Sequence, residues 1–103
     1  MALTEEIHVG DIGTLITLAI TDAGTAVDLS SATTKQIIFL KPDRTKLTKS
    51  AEFSTDGTNG QLKYTTVSGD LDLAGFWQVQ AHVIMPTGEW RSSTELFEVA
   101  ENL

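Results

Sequence analysis

The sequence predicts an all-β protein, an antiparallel sandwich of seven or eight strands with little or no helix. Threonine, valine and isoleucine supply 28 of the 103 residues, and β-branched side chains favour strands over helices. Turn-forming residues recur at strand-sized intervals, which leaves no room for a capped helix. A chain of this length is typical of one domain, predicted to span residues 1–103 with an ordered core at about 7–99.

The first half of the chain contains four predicted strands. In order, they are residues 7–9, 14–21, 26–29 and 35–41. The second of these alternates, which places Ile16 and Leu18 on one face. A tight turn, Asp22-Ala23-Gly24-Thr25, joins it to the short third strand. The fourth is apolar on both faces at its centre, as is typical of a central strand.

The second half contains four more predicted strands, residues 45–53, 61–66, 76–85 and 90–99. In the strand 76–85, alternation places Trp77 and Val79 on the inner face and Phe76 on the other. The polar segment 68–74 is expected to cross between the sheets, as a single helical turn. The predicted core therefore centres on Ile16, Leu18, Ile38, Leu62, Trp77 and Val79.

Composition and charge exclude several classes of function. The chain has no cysteine, so disulfides, thiolate metal sites and cysteine nucleophiles are excluded. Its net charge of −7 argues against binding to nucleic acid or to an anionic membrane. The apolar stretches are too short to span a bilayer. The first residues also lack the basic start of a secretory signal, so no targeting segment is expected.

Two groups of residues have side chains of the kinds that bind metal ions. Asp70 and Asp72 supply oxygen ligands of the kind that calcium prefers, but no EF-hand spacing is present. Aspartates also favour turns because of their own hydrogen bonding. His8 and His82 lie on different predicted strands, and their spacing does not indicate zinc. No metal or other cofactor is therefore expected.

Catalytic patterns are also weak. The serine pairs Ser30-Ser31 and Ser92-Ser93 lack a Gly-x-Ser-x-Gly context. The carboxylates Glu89, Glu95 and Glu98 fall on one closing hairpin and not across a cleft. The sequence therefore predicts no catalytic residue and no enzymatic activity.

The basic residues are unevenly distributed. Residues 35–49 contain five of the seven lysines and arginines and one of the fourteen acids, so their net charge is +4 and that of the remainder −11. One interpretation is a solvated hairpin whose edge lysines prevent aggregation. The other is a docking element for an acidic neighbour, with an arginine at the turn tip suited to a bidentate carboxylate contact. The predicted partner-contact residues are Lys41, Arg44, Lys46, Lys49 and, as a candidate exposed aromatic, Trp90.

Several segments together resemble a known family. They are residues 9–14 (VGDIGT), 22–32 (DAGTAVDLSSA), 73–81 (LAGFWQVQA) and 88–93 (GEWRSS). The chain resembles, over about residues 7–99, the immunoglobulin-like domain at the N-terminus of bacteriophage baseplate upper proteins and related small phage tail proteins. The resemblance implies a non-catalytic structural protein of the virion, in the tail or baseplate, assembled in the host bacterial cytoplasm. It would contact other tail or baseplate proteins and copies of itself.

The run LAGFWQV resembles the tyrosine-corner strand of immunoglobulin folds, with Trp77 in the tyrosine position and Val79 in the cysteine position. A corner hydrogen bond would then have to come from the indole N–H. The alternative function is a glycan-binding or capsid-decorating module that aids host attachment. Glycan binding would require Trp90 to be exposed beside polar groups.

Overall fold

The computed structural model describes residues 7–102, and all regular secondary structure in that range is β-strand. The strands are β1 (Ile7–His8), β2 (Leu15–Ala19), β3 (Thr21–Asp22), β4 (Thr25–Ala26), β5 (Thr34–Leu40), β6 (Lys46–Ser50), β7 (Glu52–Phe53), β8 (Gln61–Thr65), β9 (Gly75–Met85), β10 (Gly88–Arg91) and β11 (Glu95–Ala100). The all-β prediction is confirmed. The described range contains no helix of the length and hydropathy needed to cross a bilayer.

Two sheets enclose the core. The larger has the order β1-β11-β9-β5-β6, with β10 also paired to β9, and the smaller has the order β2-β8-β7. Strands β3 and β4 form a separate small hairpin. All pairs are antiparallel except β1 with β11. Buried side chains from both sheets join in one hydrophobic cluster, which makes the molecule a sandwich.

The core follows the predicted alternation in all but one place. Trp77 and Val79 of β9 are fully buried, as are Ile16 and Leu62 of the smaller sheet, and Leu18 is nearly so. The prediction for Ile38 is wrong: Ile37 and Phe39 are buried, and Ile38 is half-buried on the opposite face of β5. Three consecutive apolar residues fit either register, so only the position of the second sheet selects the buried face.

Three predicted strands, 14–21, 45–53 and 90–99, are each divided in two, so residues 7–102 contain eleven strands and not the expected seven or eight. The segment predicted as one strand at 45–53 changes sheets at Ala51, whose N–H donates to the carbonyl of Lys35 in the larger sheet. The next two residues, β7, pair with β8 in the smaller sheet. The predicted strand 26–29 is regular only at Ala26. The crossing segment 68–74 forms turns and bends, not the predicted helical turn.

A bulge interrupts the last predicted strand. Arg91 pairs with His82 and Glu95 with Val79, so three residues, 92–94, oppose two, 80–81. The buried Ser92 compensates for the lost ladder contact, because its Oγ accepts from the Ala81 N–H at 2.8 Å and donates to the Ser93 carbonyl at 2.9 Å.

Replacing Ser92 with alanine is therefore expected to lower the free energy of unfolding by about 1–3 kcal/mol, because the buried Ala81 N–H loses its acceptor. Urea denaturation of the variant measures the change. The matched control is Ser93→Ala at the exposed neighbouring position, where a change within about 0.5 kcal/mol is expected. Equal effects of the two substitutions would contradict a structural role for the Ser92 hydroxyl.

Candidate partner-contact surface

The turn between β5 and β6 presents an arginine at its tip. The Lys41 N–H donates to the Thr45 carbonyl and the Arg44 N–H to the Lys41 carbonyl, both at 2.9 Å. The Asp43 carboxylate accepts from the Thr45 hydroxyl at 2.6 Å and from its N–H at 3.0 Å. These bonds, that of the hydroxyl first, hold the pKa of Asp43 below its usual value. The loop is thus fixed without any contact from the Arg44 side chain.

Arg44 has a left-handed backbone conformation, with φ of 75°. A residue with a Cβ pays about 1 kcal/mol or more in this region, where glycine fits without strain. An exposed arginine at such a position gains nothing from packing. Ala23, in the turn between β3 and β4, has the same left-handed conformation with φ of 51°, so the conformation belongs to the turn geometry and not to the identity of the side chain.

Two of the predicted contact lysines are engaged within the chain. Lys41 Nζ lies 3.0 Å from Asp72 Oδ1 and 5.7 Å from the centroid of the Trp77 ring. Lys49 Nζ lies 3.2 Å from Asp70 Oδ1. The acidic pair considered as a calcium site therefore faces lysines. Among residues 7–102 no group of three or more histidines and acids is placed to hold a metal ion.

Asp70 anchors the segment that crosses between the sheets. Its carboxylate is buried and accepts hydrogen bonds from the Tyr64 hydroxyl and, at 2.9 Å, from the Val67 N–H. Burial raises the pKa of Asp70, but the bonds from Tyr64, Val67 and Lys49 outweigh burial and hold the pKa below its usual value. Burial and the Asp70 contact raise the pKa of Tyr64. The network ties β6 and β8 to the crossing segment and leaves Lys49 little freedom to bind a partner.

Arg44 and Lys46 are the contact candidates that stay accessible. Both are exposed, and neither makes an ion pair in the part of the chain that the structure describes. Lys35, the remaining base of the hairpin, has its ammonium 4.2 Å from the centroid of the Phe53 ring. The exposed positive charge of the hairpin therefore concentrates at the tip and not along its whole length.

Trp90 lies apart from the hairpin tip. It is half-buried against the core and pairs with Val83 of β9. Val83 pairs on its other side with Lys35, which lies at the end of β5 opposite to the hairpin tip. Its ring covers Gly88, where an added Cβ would lie 2.9 Å from the ring. The ring thus packs at the end of the sandwich and leaves part of its surface exposed.

The outer face of the larger sheet is a further surface, which sequence reasoning did not single out. Phe76 of β9 is 62% exposed and Leu96 of β11 is 47% exposed, and Ile38 and Leu40 of β5 are half-buried beside them. A shallow depression of about 300 Å³ lies on this face; its lining includes Ile38, Leu40, Lys46, Gln78, Gln80, Arg91 and Thr94. Alternation in β9 placed Phe76 outward, but only the strand order brings these apolar side chains together.

Histidine and serine side chains form no catalytic arrangement on this face. His82 Nε2 lies 3.2 Å from Glu89 Oε2. His8 is on β1, which β11 separates from β9. The Ser92 hydroxyl is committed to the bulge. Within residues 7–102, these histidine and serine side chains are therefore not brought together in one site.

Comparisons with known proteins agree with this description. A family model described as the BppU N-terminal domain matches residues 5–100, which confirms the resemblance found in the sequence. No curated protein matches the chain. A solved structure of similar fold is that of CopC from Methylosinus trichosporium OB3b, with a TM-score of 0.58 and 19% identity, covering 95% of this chain and 88% of that one. That likeness extends to the fold alone.

Proposed function

Because this chain belongs to the family of the BppU N-terminal domain, a phage baseplate domain, we propose that it is a non-catalytic assembly module of the phage tail. The family makes it a structural phage protein of the virion tail, in contact with other tail proteins. Our proposal adds that residues 1–103 act as one domain, assembled in the host cytoplasm. It also adds that the hairpin tip, defined by Arg44 and Lys46, contacts an acidic surface on a neighbouring tail or baseplate protein.

The observation that carries the proposal is the selective exposure of these two cations. Lys41 and Lys49 are neutralised by Asp72 and Asp70, whereas Arg44 and Lys46 are left accessible at a turn held rigid by its own hydrogen bonds. An arginine on a rigid turn suits a bidentate carboxylate contact because little loop freedom is lost on binding. The chain carries a net charge of −7, so a local positive element also orients an approaching acidic partner.

Reversing both charges, Arg44→Glu with Lys46→Glu, is expected to lower the amount of chain in phage particles about tenfold, since each exposed pair contributes about 0–1 kcal/mol and reversal adds repulsion. Quantitative mass spectrometry of gradient-purified particles, washed over a salt series, gives the measurement. The control Lys63→Glu alters charge on the outer face of the smaller sheet and should leave incorporation unchanged.

A second variant separates contact from folding. Arg44→Gly removes the side chain and relieves the left-handed strain, so its free energy of unfolding is expected to rise by up to about 1 kcal/mol while incorporation falls. Full incorporation of the double reversal at low salt would contradict the proposal and identify the tip as a solvated edge.

A further inference from the structure

The outer face of the larger sheet is charged with opposite sign at its two sides. Lys46 lies on the edge strand β6, in one row with Leu40, Gln78 and Leu96 of the neighbouring strands. Glu98 of β11 pairs with Phe76 one row further along, about 7 Å away along the strands. The two charges are three strands apart, about 14 Å across the sheet.

Between these charges lies a partly apolar strip, in which Leu40, Leu96 and Phe76 surround the exposed Gln78. Leu96 and Phe76 are exposed on one side and Leu40 is half-buried on the other. Neither Lys46 nor Glu98 makes an ion pair within residues 7–102. An exposed apolar patch with rim charges is typical of a protein–protein contact.

This distribution is complementary to itself. A second copy can pack face to face on this sheet, related by a two-fold axis that runs parallel to the strands, midway between β9 and β5. This axis places the β6 side of each copy over the β11 side of the other. The positive side of each copy then covers the negative side of the other. The centre of the contact is mixed, because Leu40 and Ile38 of β5 lie over Gln78 and Gln80 of β9. A two-fold contact repeats each interaction twice, so one favourable charge pair becomes two.

We propose that the outer face of the larger sheet is a two-fold self-association surface, in which Lys46 of each copy faces Glu98 of the other. Arg44 reinforces the pair. Pro42 of the same turn packs on Gly75, which places the turn at the same height along the strands as Phe76 and Glu98. Arg44 therefore comes level with Glu98 of the other copy. The occupant is a second copy of this chain, since a single sequence supplies both the positive and the negative side.

The opposite end of the face is compatible with this packing. There Glu89 lies 3.9 Å from Arg91, which offsets its charge, and 3.2 Å from the His82 ring. The two-fold axis places these groups over the side of the partner that carries Ser50 and Gln36, which pair in the row of His82. No like charges meet, so only the Lys46 and Glu98 sides direct the orientation.

The first test is a charge swap measured by analytical ultracentrifugation. Lys46→Glu and Glu98→Lys, each alone, are expected to weaken self-association about tenfold, because each single change creates two repulsive contacts. The double variant should recover most of the parent's affinity. The control Lys63→Glu should not change it. A monomeric parent at millimolar concentration, or a double variant that associates more weakly than both singles, would overturn the proposal.

A second test reads the geometry directly and uses the absence of cysteine in the chain. The proposed axis places β9 of one copy over β5 of the other at about 10 Å. The same axis places β6 of one copy over β11 of the other, so Thr48 of one copy lies about 12 Å from Leu96 of the other, whereas each of these residues lies about 17 Å from its own equivalent. The variants Thr48→Cys and Leu96→Cys, mixed in equal amounts, should therefore be joined to each other by a short bismaleimide more efficiently than either is joined to itself. Preferential linkage of each variant to itself would reject this axis.

The inference rests on the proposed assembly role and names the neighbour: the acidic surface that Arg44 and Lys46 contact is that of a second copy, at Glu98. The experiments separate the two. A monomeric parent whose incorporation into particles still depends on Arg44 and Lys46 would remove the two-fold contact and keep the assembly role. A dimer whose tip variants enter particles normally would keep the two-fold contact and remove the hairpin tip as the contact with the tail.

Discussion

Replacing Trp77 with alanine is expected to lower the free energy of unfolding by about 3–5 kcal/mol, a large part of the stability of a domain this size. The side chain is fully buried, and its ring centroid lies 5.9 Å from that of Phe97 and 6.1 Å from that of Phe39. The indole N–H also donates to the Leu73 carbonyl at 3.0 Å. Alanine would leave a cavity among these rings and an acceptor without its donor.

Chemical denaturation of three variants separates these contributions. Trp77→Phe keeps an aromatic ring but loses the indole donor and some volume, so it should cost less than Trp77→Ala. Phe76→Ala, at the exposed neighbouring position on the same strand, should change stability by no more than about 0.5 kcal/mol. If Trp77→Ala and Phe76→Ala had similar effects, Trp77 would not be the centre of the core.

Replacing Asp70 with alanine is expected to lower the free energy of unfolding by about 2–4 kcal/mol, because several buried or half-buried groups lose one shared acceptor. These groups are the Tyr64 hydroxyl, the Val67 N–H and the Lys49 ammonium. The matched control is Asp72→Ala, since Asp72 also pairs with a lysine but is about half exposed. That exposed pair should contribute about 0–1 kcal/mol. Equal losses at the two positions would contradict the role of burial.

The stabilisation that the Asp70 carboxylate provides should also depend on pH. Its pKa is lower in the folded protein than in the unfolded chain, so the folded state binds the proton less readily. The stabilisation is therefore fully present above the unfolded pKa of about 3.9 and is lost as pH falls through the folded pKa. The difference in stability between the parent and Asp70→Ala should therefore narrow as the pH falls below about 5. A constant difference would mean that the carboxylate charge contributes nothing.

The free energy of unfolding of Asp70→Ala is still expected to depend on pH in the acid range. Asp28, Asp43 and Asp56 each accept hydrogen bonds within their own turns, which lower their pKa values. These carboxylates are fully exposed, so they stabilise turns and do not link distant elements. Denaturation curves of both proteins across the same pH range separate the Asp70 contribution from theirs.

The sequence by itself determined the features that depend on neighbouring residues. Strict alternation in β9 placed Trp77 inside and Phe76 outside, because successive side chains of a strand point to opposite faces. The resemblance to a tyrosine corner left the Trp77 indole as the one possible donor of a corner hydrogen bond, and only the structure shows that the indole N–H donates to the Leu73 carbonyl. The turn at residues 41–45 was likewise predictable, since proline and aspartate favour it through their own backbone geometry.

Only the tertiary structure decided how distant residues meet. The count of lysines predicted a positive hairpin, but Asp70 and Asp72 arrive from another part of the chain and neutralise Lys49 and Lys41. Strand order and register also decide which face of β5 is buried and where the bulge at Ser92 lies. They likewise place Lys46 and Glu98 at the two sides of the partly apolar strip. Alternation is a property of one strand, whereas pairing and ion contacts depend on where the loops bring other strands. Local pattern therefore specified the elements, and long-range packing selected which surface stays open for a partner.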